Sequence, residues 1–190
     1  MNKNSIKKQI LESIKTKEAI IENGLNYIEA AAEVLIESIN SSRKILWCGN
    51  GGSAADAQHL ATELMGGMSD HNRKPIPSIA LTTDSSFITA WSNDLDFESI
   101  FSRQVQGLGN EGDVLIGIST SGNSENVISA IKQANFKKLK TIVFTGKSGG
   151  KIDGLADITI KVPSNDTQRI QEAHIMIGQI LCDQVENSII

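Results

Sequence analysis

Cysteine, proline and aromatic residues are all scarce in this chain: two cysteines, three prolines, two tryptophans, one tyrosine and five phenylalanines are spread over 190 residues. Two thiols cannot build a disulfide framework. Cys48 and Cys182 both fall inside apolar patterns, which fits reduced core thiols and a cytoplasmic protein. No apolar stretch approaches a membrane span, and the N-terminus MNKNSIKKQI lacks the apolar core of a signal peptide. Basic tracts are missing too. Eighteen Lys plus Arg against 22 Asp plus Glu give a net charge of −4, which argues against nucleic acid as a direct partner. Any anionic ligand must then be held by local geometry. The sequence has no internal repeat and no low-complexity segment, and its length suits one domain with its own core.

What is present is an alternation of apolar runs and amphipathic stretches. Lys44 to Trp47, Ile76 to Leu81, Asp113 to Ile118, Lys140 to Thr145 and Asp157 to Val162 read as five buried strands. Between them the spacing predicts helices over Ala54 to Met65, Asp84 to Trp91, Asp96 to Leu108 and Glu125 to Asn135. A short helix through Ala156 and a last one from Asp166 to Val185 complete the pattern. Such alternation implies right-handed crossovers and a parallel sheet covered on both faces, so an α/β, flavodoxin-like three-layer sandwich is expected. Two helices precede it. The first, Ser5 to Glu22, carries Ile6, Ile10, Ile14 and Ile21, and Gly24 separates it from a second with Leu25, Ile28, Ala32, Leu35, Ile36 and Ile39. One sheet face cannot cover stripes of this length, so part of them is expected to pack against another subunit. The expected organisation is a single domain over 1–190, with N-terminal helices in 1–42 and the sandwich in 43–190.

Chemistry concentrates in residues 48–67, CGNGGSAADAQHLATELMGG. Gly49, Asn50, Gly51 and Gly52 allow a tight turn after the first strand, and Ser53 is expected to cap the following helix. Backbone N–H groups at the positive end of a helix dipole suit a phosphate or another anionic oxygen. His59 and Glu63, four residues apart, leave that helix on one side, at the border of its apolar stripe. They are expected half buried and facing a cleft, one able to ligate and the other to take a proton. A surface ion pair is the plainer alternative.

A second anion candidate is Ser119-Thr120-Ser121-Gly122-Asn123-Ser124, between the clearest strand and a helix, where hydroxyl and backbone donors can converge on one phosphate. Trp91 to Asp94 reads as a turn presenting Asn93 and Asp94. Gln171 and His174 sit near the start of the last helix, and His174 reads first as a hydrogen-bonded structural residue. Gly49-x-Gly51-x-x-Ala54 matches a dinucleotide fingerprint, but about twenty residues on lies a polar loop around Asp70 rather than a ribose-binding acid at a strand end. Gly146-Lys147-Ser148 has the last letters of a nucleotide P-loop without its earlier glycine, and is not one.

Taken together, CGNGGSAADAQH, LTTD, SND, FSRQV, GDVLIGISTSGNS and VPSNDTQRIQEAH resemble the bacterial phosphoheptose isomerases of the sugar isomerase (SIS) superfamily, from about Lys44 to the C-terminus. The resemblance implies interconversion of sedoheptulose 7-phosphate and D-glycero-D-manno-heptose 7-phosphate through an enediol, for the heptose of lipopolysaccharide or capsule. It also implies a cytoplasmic homotetramer, one zinc per subunit and active sites at subunit interfaces. Ser119, Thr120, Ser121 and Ser124 would bind the phosphate. Asn50, Gly51, Gly52, Ser53, Asn93 and Asp94 would contact the sugar, with Glu63 and Gln171 also meeting substrate. His59, Glu63, Gln171 and Gln179 match the metal-linked positions, and Glu63 matches the proton-transferring acid.

One departure stands out. Where the family usually has a histidine that binds zinc and acts as second acid/base, this chain has Gln179, which cannot shuttle a proton near neutral pH. Either His174 or a water takes that role, or isomerase activity is weak or absent. Gly66-Gly67-Met68 also lacks the Arg-aromatic pair often found there. Two other readings remain open. One is a non-catalytic relative that binds the DnaA replication initiator and typically lacks an acid at the Glu63 position. The other is a sugar-phosphate sensor.

Overall fold

The computed structural model describes residues 2–189. Five parallel strands, β1 (Ile45–Gly49), β2 (Ser78–Ala80), β3 (Val114–Ile118), β4 (Lys140–Thr145) and β5 (Ile158–Lys161), lie in the order β2-β1-β3-β4-β5. Every residue of β1 and β3 is buried, because odd and even positions feed different cores. Ile45 and Trp47, with Val114, Ile116 and Ile118, pack under α1 (Lys3–Asn23), α2 (Leu25–Asn40), α3 (Gly52–Gly66) and α7 (Thr167–Asn187). Leu46, Cys48, Leu115 and Val143 face the other way, under α4 (Ser85–Asp94), α5 (Ile100–Leu108) and α6 (Glu125–Phe136). The expected three-layer sandwich is therefore present. β1 and β3 pair in register from Ile45↔Val114 to Gly49↔Ile118, so their loops leave from one level. The chain then turns outward to β2 from one and to β4 from the other, the strand-order reversal at which open α/β sheets form a crevice.

Several expected boundaries shift for local reasons. Ser53 is not the cap of α3. Gly51, at φ 56°, takes that place without a side-chain bond, and Ser53 is buried in the first turn. Trp91 to Asp94 is the last turn of α4 rather than a free turn, and Asp84 caps the start of that helix by accepting the Phe87 N–H at 2.9 Å. α5 starts later than expected because Asp96 Oδ1 accepts the Ser99 N–H at 2.6 Å and holds a separate turn. The short helix before β5 contracts to a 3-10 turn, Gly150–Ile152. On α1, Thr16 and Ile20 face the body while Ile6, Ile10, Ile14 and Ile21 stay between 46% and 64% exposed.

One carboxylate joins the last helix to the far end of α3. Glu186 is 2% exposed and accepts the N–H groups of Met68 (2.8 Å), Ser69 (2.7 Å) and Asp70 (3.1 Å), together with Arg73 Nε (2.8 Å). Arg73 Nη2 in turn donates to the carbonyls of Glu63 and Leu64, closing the C-terminal turn of α3. Burial by itself would raise the Glu186 pKa, but the N–H donors of Met68 and Ser69 and the Arg73 guanidinium outweigh it and hold it down to about 2. Glu186→Ala leaves the buried Arg73 charge without its carboxylate and three N–H groups unpaired, and should cost about 3–5 kcal/mol in urea unfolding. Since the folded-state pKa is depressed, the carboxylate's contribution is present above pH 4.5 and is lost as pH falls toward 2. Glu186→Gln should flatten the stability profile over that window.

Candidate active site

At the crevice between β1 and β3 the two predicted anion loops are tied together. Asn50 Nδ2 donates to Asn126 Oδ1 and Asn126 Nδ2 donates back to Asn50 Oδ1, each at 2.8 Å. This closed amide ring joins the glycine turn to the start of α6, and Asn126 is buried. Sequence reasoning missed Asn126, because one asparagine in a helix's first turn carries no signal of its partner. Behind the second loop, the buried Ser119 hydroxyl bonds that of Ser124 at 2.9 Å. Thr120 and Ser121 line an open cavity of about 240 Å³ with residues from the loops after β4 and β5. Gly51 and Gly52 are exposed, whereas Ser53 is buried against Gly49. A Cβ on Gly52 would lie 2.6 Å from Gln171 Nε2, so Gln171 rests on the N-terminus of α3. Asn50, Gly51, Gly52, Gln171 and the Ser119 to Ser124 loop thus share one end of the sheet.

His59, Glu63 and Gln179 form a second cluster. α3 and α7 run side by side in the same direction: Gly52 meets Gln171, Leu60 meets Gly178, and Met68 meets Glu186. Near the middle of this pair, His59 Nε2 lies 2.9 Å from Glu63 Oε1, and Gln179 Nε2 lies 3.0 Å from the first and 3.2 Å from the second. The side chains of His59 and Glu63 are 49% and 21% exposed, so within one chain they form a surface cluster rather than the floor of a cleft. Ten residues of helix, about 15 Å, separate Ser53 from Glu63. Within one chain the Glu63 carboxylate thus lies well down α3 from the glycine turn that opens the helix.

Gln171 and Gln179 are eight residues, about 12 Å, apart on α7, so one chain brings together three of the four metal-linked positions and leaves Gln171 out. His174 lies about 140° around the helix from Gln179. It is wholly buried, 5.7 Å from the Phe144 ring, with Nε2 3.2 Å from the Thr145 carbonyl oxygen and Nδ1 without a partner among the described residues. It cannot replace a surface acid/base. Asn93 and Asp94 are exposed, Asn93 Nδ2 donates to Asp94 Oδ1 at 2.9 Å, and no bond among the described residues links them to either loop.

No group of three His, Cys, Asp or Glu side chains gathers for a metal among the described residues. The mixed cluster nevertheless fits one. An imidazole nitrogen and a carboxylate oxygen 2.9 Å apart cannot both be bare acceptors, so a proton or a cation belongs between them. Turning the Gln179 amide end for end would add an oxygen donor, giving a nitrogen-and-oxygen set suited to a borderline divalent ion.

Comparison with known proteins bears on this geometry. The family model described as SIS domain matches residues 10–146. A phosphoheptose isomerase of Nitratiruptor sp. is 51% identical over 183 residues, covering 96% of this chain and 97% of the relative. One from Clostridium acetobutylicum is 49% identical over 189 residues, covering 98% and 96%. The solved phosphoheptose isomerase of Neisseria gonorrhoeae superposes with a TM-score of 0.91 at 42% identity, over 97% of this chain and 98% of that one. That of Francisella tularensis gives 0.94 at 38%, over 98% and 100%.

The buried imidazole has a measurable consequence. Burial pushes the His174 pKa down from 6.5 to about 4, with the Thr145 carbonyl pulling weakly the other way. Because the folded-state pKa is lowered, the unfolded chain binds the proton first. Stability is full above pH 6.5 and declines toward pH 4 by about 3 kcal/mol. The urea midpoint of His174→Phe should change less than the wild-type midpoint between pH 7 and 4.5, above the window in which Glu186 titrates.

Proposed function

The chain belongs to the SIS domain family, within its phosphoheptose isomerase branch, and we infer that it converts sedoheptulose 7-phosphate to D-glycero-D-manno-heptose 7-phosphate for heptose biosynthesis. The observation that carries this reading is the retained Glu63 carboxylate, with Oε1 engaged by His59 and Gln179 and Oε2 left without a hydrogen bond among the described residues. A carboxylate held on one edge and open on the other is equipped to move a proton. The same feature weighs against a non-catalytic initiator-binding protein or a sensor, neither of which needs it.

The Ser119 to Ser124 loop, with its hydroxyls and the first-turn N–H groups of α6, grips the phosphate at the crevice. A seven-carbon sugar phosphate is shorter than the length of α3 that separates this loop from Glu63. The carbonyl end is therefore worked on by Glu63 of a neighbouring copy in a cytoplasmic homotetramer. The exposed Ile6, Ile10, Ile14 and Ile21 of α1 supply an apolar face for that assembly. Glu63 takes a proton from C1 of the ketose while the C2 carbonyl oxygen gains one, giving the enediol. Returning the carbon-bound proton to C2, as the O1 proton leaves, yields the aldose. With no metal bound, Gln179 orients Glu63 by N–H donation, and the proton moving between the two oxygens travels by water or by Glu63 itself. His59 and Glu63, with Gln179 turned to present Oε1, would hold a zinc ion, whose chemistry is to polarise the sugar carbonyl.

Incubation of the purified protein with sedoheptulose 7-phosphate, followed by NMR, should reveal the aldose, and Glu63→Gln should slow its formation by about two to four orders of magnitude. Absence of turnover, together with capture of the replication initiator, would favour the non-catalytic alternative. Gln179→His should raise kcat by restoring a titratable group at that position, whereas an unchanged kcat would show that the oxygen-bound proton already has another route.

A further inference from the structure

Building on the isomerase reading, we propose that Lys147 is the cation that pairs with the substrate's phosphate. Thr120, Ser121 and Asn123 of the hydroxyl loop form only one wall of the 240 Å³ cavity, and the loop after β4, carrying Gly146, Lys147 and Ser148, forms another. These two loops approach more closely than side chains allow. A Cβ on Gly122 would lie 1.8 Å from the Gly149 carbonyl oxygen, and one on Gly150 would lie 2.3 Å from that of Ser121. All three glycines also have positive φ, between 64° and 74°. The Gly146 N–H donates to the Thr120 carbonyl at 3.0 Å, the Lys151 N–H to Asn123 Oδ1 at 3.0 Å, and the Lys147 N–H to the Ser164 carbonyl at 3.1 Å. The backbone of Lys147 is thereby fixed beside the hydroxyl loop.

Among the residues lining this cavity Lys147 is the one charged group, and every other polar side chain is a neutral hydroxyl or amide. The nearby cations are already committed: Lys151 to Glu125 at 2.7 Å and Lys161 to Asp153. Asp166, which precedes α7, accepts the Gln168 N–H as a cap. The Lys147 ammonium has no ion pair and no hydrogen bond among the described residues. A phosphate monoester carries about −1.5 to −2 charges at pH 7 and enters a chain of net charge −4, so neutral hydroxyls alone leave its charge uncompensated. An ammonium on a flexible stem is a point charge able to compensate it. Without the P-loop's earlier glycine, Gly146-Lys147-Ser148 cannot wrap a polyphosphate, and one lysine beside one hydroxyl loop matches a single phosphate.

Calorimetric titration with inorganic phosphate tests this on full-length wild type, Lys147→Met, Lys147→Arg and Lys147→Glu, with melting temperatures verifying that each is folded. Lys147→Met should weaken phosphate about tenfold and flatten its salt dependence, Lys147→Glu should weaken it further, and Lys147→Arg should stay within about threefold of wild type. With sedoheptulose 7-phosphate, KM should rise in the same order and by a larger factor than kcat falls. The phosphate titration needs no turnover, so it reads Lys147 even if the protein proves not to be an isomerase. A folded Lys147→Met protein that binds phosphate as wild type does overturns the proposal, as does a loss that Lys147→Arg fails to restore.

Discussion

The geometry of the protein depends on the parallel pairing of β1 with β3, whose ends are level and whose chains depart in opposite directions. Among the described residues no other place in the sheet opens a crevice between adjacent strand ends in this way. The amide ring of Asn50 and Asn126 closes the base of that crevice, so the glycine turn and the hydroxyl loop are set by one pair of short bonds rather than by two independent loop conformations. In the proposed function this arrangement is what would place the phosphate end of the substrate.

The placing of His59 and Glu63 is governed by the length of α3. The helix begins at the crevice and runs back along the sheet, carrying His59 and Glu63 away from the loops that define its start. Its partner α7 runs in the same direction, so the cluster of His59, Glu63 and Gln179 depends on the register between two helices. That register is held beyond the cluster, where Glu186 gathers Arg73 and the three N–H groups after α3. A long separation within one chain and a long apolar stripe left bare on α1 are the two observations behind the proposal of a site assembled from more than one copy.

Having the Gln179 amide at this position limits what the cluster can do more than how it is built. An amide can point a proton donor at a carboxylate or present an oxygen to a metal, but it cannot give up a proton and take it back. His174, on the same helix, offers no substitute, because burial has made it a neutral packing residue between Phe144 and Thr145.

The five strands, the order of helices and the chemical character of both loops were legible in the sequence, because period and turn chemistry are local properties. Buried strands announced themselves as continuous apolar runs such as DVLIGI, and the caps of α1, α4 and α7 are the side-chain oxygens of Asn2, Asp84 and Asp166. The pattern of residues also determined that His59 and Glu63 share a helical face. What tertiary structure alone decided is which distant groups meet: Asn50 with Asn126, Gln179 with His59, Glu186 with Arg73, and Lys147 with the hydroxyl loop. It also decided which groups stay apart within one chain, Gln171 from Gln179 and Ser53 from Glu63. The physical reason is that side-chain periodicity specifies direction around one element, whereas distance between elements is set by sheet order, helix length and the packing of glycines such as Gly122 and Gly150, none of which is encoded at the positions that finally touch.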